Sequence, residues 1–225
     1  MCDARAQLRR HLDALRAAGV EFVPNRPLVL ADPFADRRVA LDLLAQEVAG
    51  CDRCPELYST RTQTVFGVGP PSPEVCFVGE APGYEEDRQG EPFVGPAGQL
   101  LNKIIVATGF RRDEVYICNT LKCRPPNNAT PTDAQRANCR PYFERQLDLV
   151  APKYIVCLGA VAVKHVLNTS QGITKLRGTW HEYRGIPVLC TFHPSYLLRD
   201  PTKKRDVWND MQALLKRMGR PVPER

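Results

Sequence analysis

The residues able to do chemistry fall into two sets. The first is built on thiols. Cys51 and Cys54 form a CxxC pair, and Cys123 and Cys139 are the other cysteines outside the apolar runs, apart from Cys2 at the start of the chain. A CxxC pair presents two thiolates to one centre without backbone strain, and two distant cysteines can close the site and tie segments together. The contexts Cys54-Pro55, Cys123-Arg124-Pro125 and Cys139-Arg140-Pro141 suit a centre clamped by loops. Spacing alone leaves zinc and an iron–sulfur cluster equally open. A redox dithiol is a weaker option, because Cys51 does not follow a strand. The plainest alternative is that Cys123 and Cys139 merely pack.

The second set follows short apolar runs rich in Val and Ile, at 74–79, 114–119, 153–159 and 186–192. These runs read as buried strands. Helices are predicted between them at 97–107, 131–150 and 160–168, with a last one over 202–218, so the fold class is α/β with a parallel sheet and helices on both faces. In such sheets ligands bind at the carboxyl ends of the strands. The residues there are Gly79-Glu80-Ala81-Pro82-Gly83, then Asn119-Thr120, Gly159, and His193-Pro194-Ser195. A carboxylate, an amide and an imidazole therefore converge on one edge. Cys76, Cys118, Cys157 and Cys190 fall inside strands and read as core.

Upstream, Leu8, Leu12 and Leu15 predict an amphipathic helix over 3–18 that stops at Gly19. Pro24, Pro27 and Pro33 mark a linker, and a second helix is predicted over 37–49. Residues 1–36 are thus an N-terminal helical extension with a Pro-rich linker, and 37–225 form the α/β domain.

The chain has 225 residues, 31 basic against 25 acidic, a formal charge of +6. That excess permits a polyanion partner without demanding one. No apolar run approaches the ~18 residues of a membrane span, and the N-terminus lacks the apolar stretch of a signal peptide. A cytoplasmic protein with no membrane partner, and a monomer, is expected. Residues 79–98 hold five glycines but no GK[ST], and carry Glu80, Glu85, Glu86, Asp87 and Glu91 against Arg88 alone. Such acidic density would repel a triphosphate. A neutral planar ligand fits better, with Phe93 as a stacking face.

The segments GEAPGYEEDRQGEPFVGPAGQLL (79–101), YICNTLKCRPP (116–126), NCRPYFERQL (138–147) and FHPSYLLRDP (192–201), with the CxxC pair, resemble family 4 uracil-DNA glycosylases, the iron–sulfur class of that superfamily. The resemblance covers about 38–217. It implies a three-layer α/β/α sandwich around a short parallel sheet, and a structural [4Fe–4S] cluster on Cys51, Cys54, Cys123 and Cys139. It implies base-excision repair: hydrolysis of the N-glycosidic bond of uracil in single- or double-stranded DNA. A non-catalytic or covalently trapping member of the superfamily is the alternative.

The resemblance also distributes roles. Phe93 stacks on uracil, and Asn119 accepts from N3–H and donates to O4, a pattern that cytosine reverses. His193, as a neutral imidazole, stabilises charge developing on O2, and its removal is expected to abolish an ionisation near neutrality. Where one branch has an aspartate before the motif proline this chain has Ala81, so Glu80 becomes the catalytic candidate that could contact the base, order water or hold the loop. Gly83 stands where that branch carries a thymine-blocking tyrosine, and Glu86 is expected at the uracil rim. Ser195 and Arg199 would hold DNA, Leu197 would wedge into the vacated stack with Leu198 as its rival, and Lys122, Arg124, Lys203, Lys204 and Arg205 are further phosphate candidates.

Overall fold

The structure, a computed structural model, describes residues 13–19 and 34–223. The chain divides after Pro33. Of the first part, residues 13–17 are helical and the helix ends at Gly19, whose φ of 80° is a left-handed conformation glycine adopts freely. Leu8, Leu12 and the three linker prolines lie outside the described residues.

The second part runs α1 (Ala35–Ala49), α2 (Pro55–Thr60), β1 (Val75–Gly79), α3 (Tyr84–Gln89), α4 (Pro96–Ala107), β2 (Tyr116–Asn119), α5 (Asp133–Val150), β3 (Tyr154–Leu158), α6 (Gly159–Leu167), α7 (Ile173–Leu176), β4 (Trp180–Tyr183), β5 (Ile186–Thr191), α8 (Pro194–Arg199) and α9 (Lys204–Arg217). The sheet order is β2-β1-β3-β5-β4. The first four are mutually parallel, as the buried apolar runs predict.

β4 corrects the all-parallel expectation: it pairs antiparallel with β5. Arg184 and Gly185, both at positive φ, make the two-residue turn between them. Such a turn matches strand twist and closes a hairpin.

Alternate residues of each strand enter opposite cores. Phe77, Ile117, Val156 and Leu189 pack under α4, α8 and α9. Cys76, Cys118, Cys157 and Cys190, all fully buried, pack under α1, α5 and α6. The strand cysteines are therefore core residues, as read. Among the described residues no helix is long and apolar enough to cross a membrane.

The chain leaves β1 toward one edge, reaching β2, and leaves β3 toward the other, reaching β5. The carboxyl ends of β1 and β3 therefore flank a topological switch point, where α/β sheets open a crevice.

Candidate active site

A cavity of about 640 Å³ lies at that crevice, lined by Glu80, Ala81, Gly83, Glu86, Phe93, Asn119, Gly159, His193, Ser195 and Arg199, with Phe192 and Tyr196 among the rest. The structure thus brings together the predicted residues that follow β1, β2, β3 and β5.

Missing side chains shape its floor. A Cβ on Gly79 would stand 2.3 Å from Asn119 Oδ1 and 2.6 Å from the Phe93 ring. One on Gly98 would stand 1.9 Å from the Phe93 carbonyl oxygen. Phe93 itself sits at φ 56°, a left-handed backbone uncommon for an aromatic residue. The Gly79 backbone thus packs close to the ring, and the Gly98 backbone close to the Phe93 main chain.

Asn119 ends β2 with a side chain 2% exposed. Its Oδ1 is buried and takes no hydrogen bond within the protein. A buried acceptor without a donor costs about 1–3 kcal/mol, so a ligand N–H at this point has a preformed partner.

His193 caps α8. Its Nδ1 lies 3.1 Å from the Ser195 backbone nitrogen, which can only donate, and 2.7 Å from Ser195 Oγ. Nδ1 is therefore the acceptor, and the ring proton sits on Nε2. Burial lowers its pKa to about 4, with the Arg199 charge adding to the effect. The imidazole is neutral at pH 7. This corrects the expected ionisation near neutrality, which burial moves far into acid. A Cβ on Gly159 would press on His193 Cβ at 2.9 Å, so β3 also sets the ring's position. Thr191 Oγ1 donates to Asp210 at 2.6 Å, anchoring the strand end that leads into His193. The Phe93 and His193 rings adjoin at 5.5 Å.

The two carboxylates behave differently. Glu86 accepts from the backbone N–H groups of Gly83 at 3.1 Å, Val94 at 3.0 Å and Gly95 at 3.0 Å. It ties the loop together, and a Cβ at Gly83 would meet its Oε2 at 2.7 Å. Glu80 is tethered through its backbone carbonyl, which accepts from Thr120 Oγ1 at 2.7 Å. Burial raises its carboxyl pKa, while the Arg136 charge pulls it back down.

Two expected DNA contacts need correction. Leu197 is 1% exposed within the core under α8, whereas Leu198 is 48% exposed; a six-residue helix turns only one of adjacent leucines outward. Lys122 is 1% exposed, its ammonium consumed by three oxygens (below), so it cannot reach a phosphate. Arg124 stacks over the Tyr84 ring at 5.0 Å and Lys203 pairs with Asp206 at 3.8 Å. Lys204 and Arg205 are exposed. Sequence reading missed Arg136, Gly98 and Gly159's pressure on His193, because helix-borne charge and glycine packing carry no local signature.

Cys51, Cys54, Cys123 and Cys139 line a second, small hollow of about 20 Å³ between α2, the segment after β2, and α5. None is in a disulfide. Arg61 Nη1 donates to Cys123 Sγ at 3.0 Å, and Asn138 Nδ2 to Cys54 Sγ at 3.5 Å. Burial raises the Cys139 thiol to about 11 and also raises Cys123, against the pull of Arg61. Among the described residues no three His, Cys, Asp or Glu side chains close on a single-ion position, although all four thiols face one hollow.

The uracil DNA glycosylase superfamily model matches residues 66–212. A type-4 uracil-DNA glycosylase of Thermotoga maritima is 42% identical over 180 residues, covering 78% of this chain and 93% of that protein. One of Archaeoglobus fulgidus is 38% identical over 192 residues, covering 82% and 96%. A type-5 uracil-DNA glycosylase of Pyrobaculum aerophilum is 31% identical over 189 residues, covering 69% and 83%. With its strand-end cavity and four-thiol hollow, the chain belongs to the uracil-DNA glycosylase superfamily, in its type-4 branch.

Proposed function

We propose that this protein hydrolyses the N-glycosidic bond of uracil in DNA, leaving an abasic site. The observation that carries the reading is the orphan Oδ1 of Asn119, a buried acceptor in a residue that lines the strand-end cavity with Phe93; the N3–H of uracil would supply its missing donor. The target base must leave the stack or be already unpaired. Phe93 stacks on it, contributing about 1–3 kcal/mol without choosing among bases. Choice comes from Asn119. Cytosine has no hydrogen on N3 and donates from N4, so it would leave both amide groups unpaired.

As the C1′–N1 bond breaks, its electron pair goes to the uracil ring and charge builds on O2. The Nε2–H of neutral His193 donates to that oxygen. A preorganised donor with a depressed pKa stabilises the anion without surrendering its proton. Water adds to C1′ and its proton is released. Among the described residues, nothing hydrogen-bonds to the Glu80 carboxyl oxygens, so this group is free to hold that water. Arg199 and Ser195 face the flanking phosphates, and Leu198 takes the wedge position on duplex substrate.

The four cysteines fit a [4Fe–4S] cluster. Thiols that burial pushes toward neutrality need a cation in the hollow to become thiolates. Four thiols line one hollow, and two side-chain donors, Arg61 and Asn138, already face sulfur, an arrangement that tunes such clusters. The cluster supplies cross-linking of three segments; no step of the hydrolysis is routed through it.

Incubation with a uracil-containing single-stranded oligonucleotide, followed by alkali, tests the function. Cleavage at the uracil is expected. A protein–DNA adduct would indicate trapping, and intact DNA with retained binding would indicate a non-catalytic binder; either overturns the proposal. The purified protein should be brown, with iron bound to protein; colourless protein with one zinc would overturn the cluster assignment.

A further inference from the structure

Lys122 is a buried cation that the chemistry above does not use. Its three N–H groups meet three acceptors: the Asn119 carbonyl at 2.8 Å, the Phe66 carbonyl at 3.1 Å, and Gln146 Oε1. A neutral amine would turn a lone pair toward one of these oxygens, so the group is an ammonium. The rings of Phe66 and Phe143 flank it at 5.7 and 5.8 Å. Gln146 is in turn held by its Nε2, which donates to the Phe66 carbonyl at 2.8 Å and reaches Tyr116 Oη at 3.0 Å.

Among the described residues no carboxylate joins this shell. A buried charge without a countercharge is expensive. The next residue in the chain is Cys123, and Cys139 lies on α5 together with Phe143 and Gln146, which flank and grip the ammonium. Four thiolates around iron carry net negative charge. That is the countercharge the ammonium lacks.

We infer that Lys122 is a positioning residue for uracil excision: gripped by Gln146, its ammonium fixes the end of the strand that carries Asn119 and places a positive charge beside the four-cysteine site. One side chain thus ties the site that reads the base to the site that braces the fold. The inference deepens the proposed function and rests on it.

Two variants of the iron-loaded protein separate the parts. Lys122→Met keeps the length and removes all three donors. Gln146→Glu keeps an acceptor for the ammonium but loses the donor to the Phe66 carbonyl, and it adds a negative charge beside Lys122. The readouts are single-turnover excision of uracil, affinity for DNA, and the reduction potential of the cluster by spectroelectrochemistry. Misplacing a reading group lowers rate more than affinity. Lys122→Met should therefore lose about 10–100-fold in excision rate, with DNA affinity within about threefold, and its potential should become more negative because cluster potentials follow local charge. Gln146→Glu should make the potential more negative as well, whatever its effect on excision. A folded Lys122→Met with wild-type rate and potential would overturn the inference. If Lys122→Met does not fold, Gln146→Glu decides: a shifted potential supports the charge assignment, and an unshifted one overturns it. Wild-type protein that excises no uracil would overturn the functional reading instead, a result distinct from either potential.

Discussion

The uracil cavity and the cysteine hollow share a boundary at the end of β2, and they differ in what the polypeptide itself completes. In the cavity, packing locks every reading group. Glycines 79 and 98 fix Phe93, and Ser195 and Gly159 fix His193. What is left open is one hydrogen-bond acceptor. In the hollow, four thiols gather but burial drives at least two of them toward the neutral form. On the proposed reading, a bound cluster completes the arrangement. Preorganisation by packing makes the first region's failures kinetic. If a cluster cross-links the second region as proposed, its failures are failures of folding.

The largest effect should come from the hollow. Cys123→Ala removes one thiol and frees the segment after Asn119. Binding energy at such a centre is folding energy, so the variant should lose its visible absorption and its cooperative thermal transition together. A colourless variant that melts like wild type would erase the contrast between the regions.

In the cavity, His193→Ala should fold normally and lose about 10²–10³ in single-turnover rate, the usual cost of one preorganised donor. DNA affinity should hardly change, because phosphates dominate it. Rates within about threefold of wild type would make His193 structural and shift the burden to Glu80.

The pH dependence sharpens the same point. Because burial holds His193 near 4, below its usual 6.5, the active neutral form persists from neutrality down through pH 5, and the rate assigned to it falls only as pH approaches about 4. For stability the sign is the same. The unfolded chain takes up the His193 proton first, so this contribution is present above about 6.5 and is lost progressively toward 4. His165, lowered to about 3 chiefly by burial, acts in the same direction. Single-turnover rates of wild type and His193→Ala across pH 4–8 check the catalytic half, and melting temperatures over that range the other. A wild-type inflection between 6 and 7 that His193→Ala removes would contradict the buried, neutral assignment.

The smallest effect belongs to the rim. Leu198→Ala should slow excision from duplex DNA several-fold, since unstacking a base step costs about a few kcal/mol, and leave single-stranded substrate unchanged. Equal loss on both substrates would assign Leu198 to folding.

Much of this was legible in the chain. The four parallel strands showed themselves as apolar runs because both faces of each are buried, and the functional residues followed from where those runs end. β4 did not, because Trp180-His181-Glu182-Tyr183 is a half-exposed edge, although the Arg184-Gly185 pair was a usable turn signal. Lys122 read as a surface charge because nothing local announces a buried ammonium; its acceptors arrive from positions 66 and 146. Leu197 and Leu198 are adjacent, and helical phase in a single short turn is set by tertiary packing. The depressed pKa of His193 depends on burial by residues far away in sequence.

The central claim is that Asn119 reads the edge of uracil. The most direct measurement is the ratio of uracil to cytosine excision rates for wild type and Asn119→Asp on matched single-stranded oligonucleotides. A carboxylate cannot donate to O4 but can accept from the cytosine amino group. With each misplaced hydrogen bond worth about 1–3 kcal/mol, the ratio should fall by roughly 5–150-fold, mainly through loss of uracil excision. An unchanged ratio with full uracil activity would show that the orphan acceptor at the end of β2 does not choose the base.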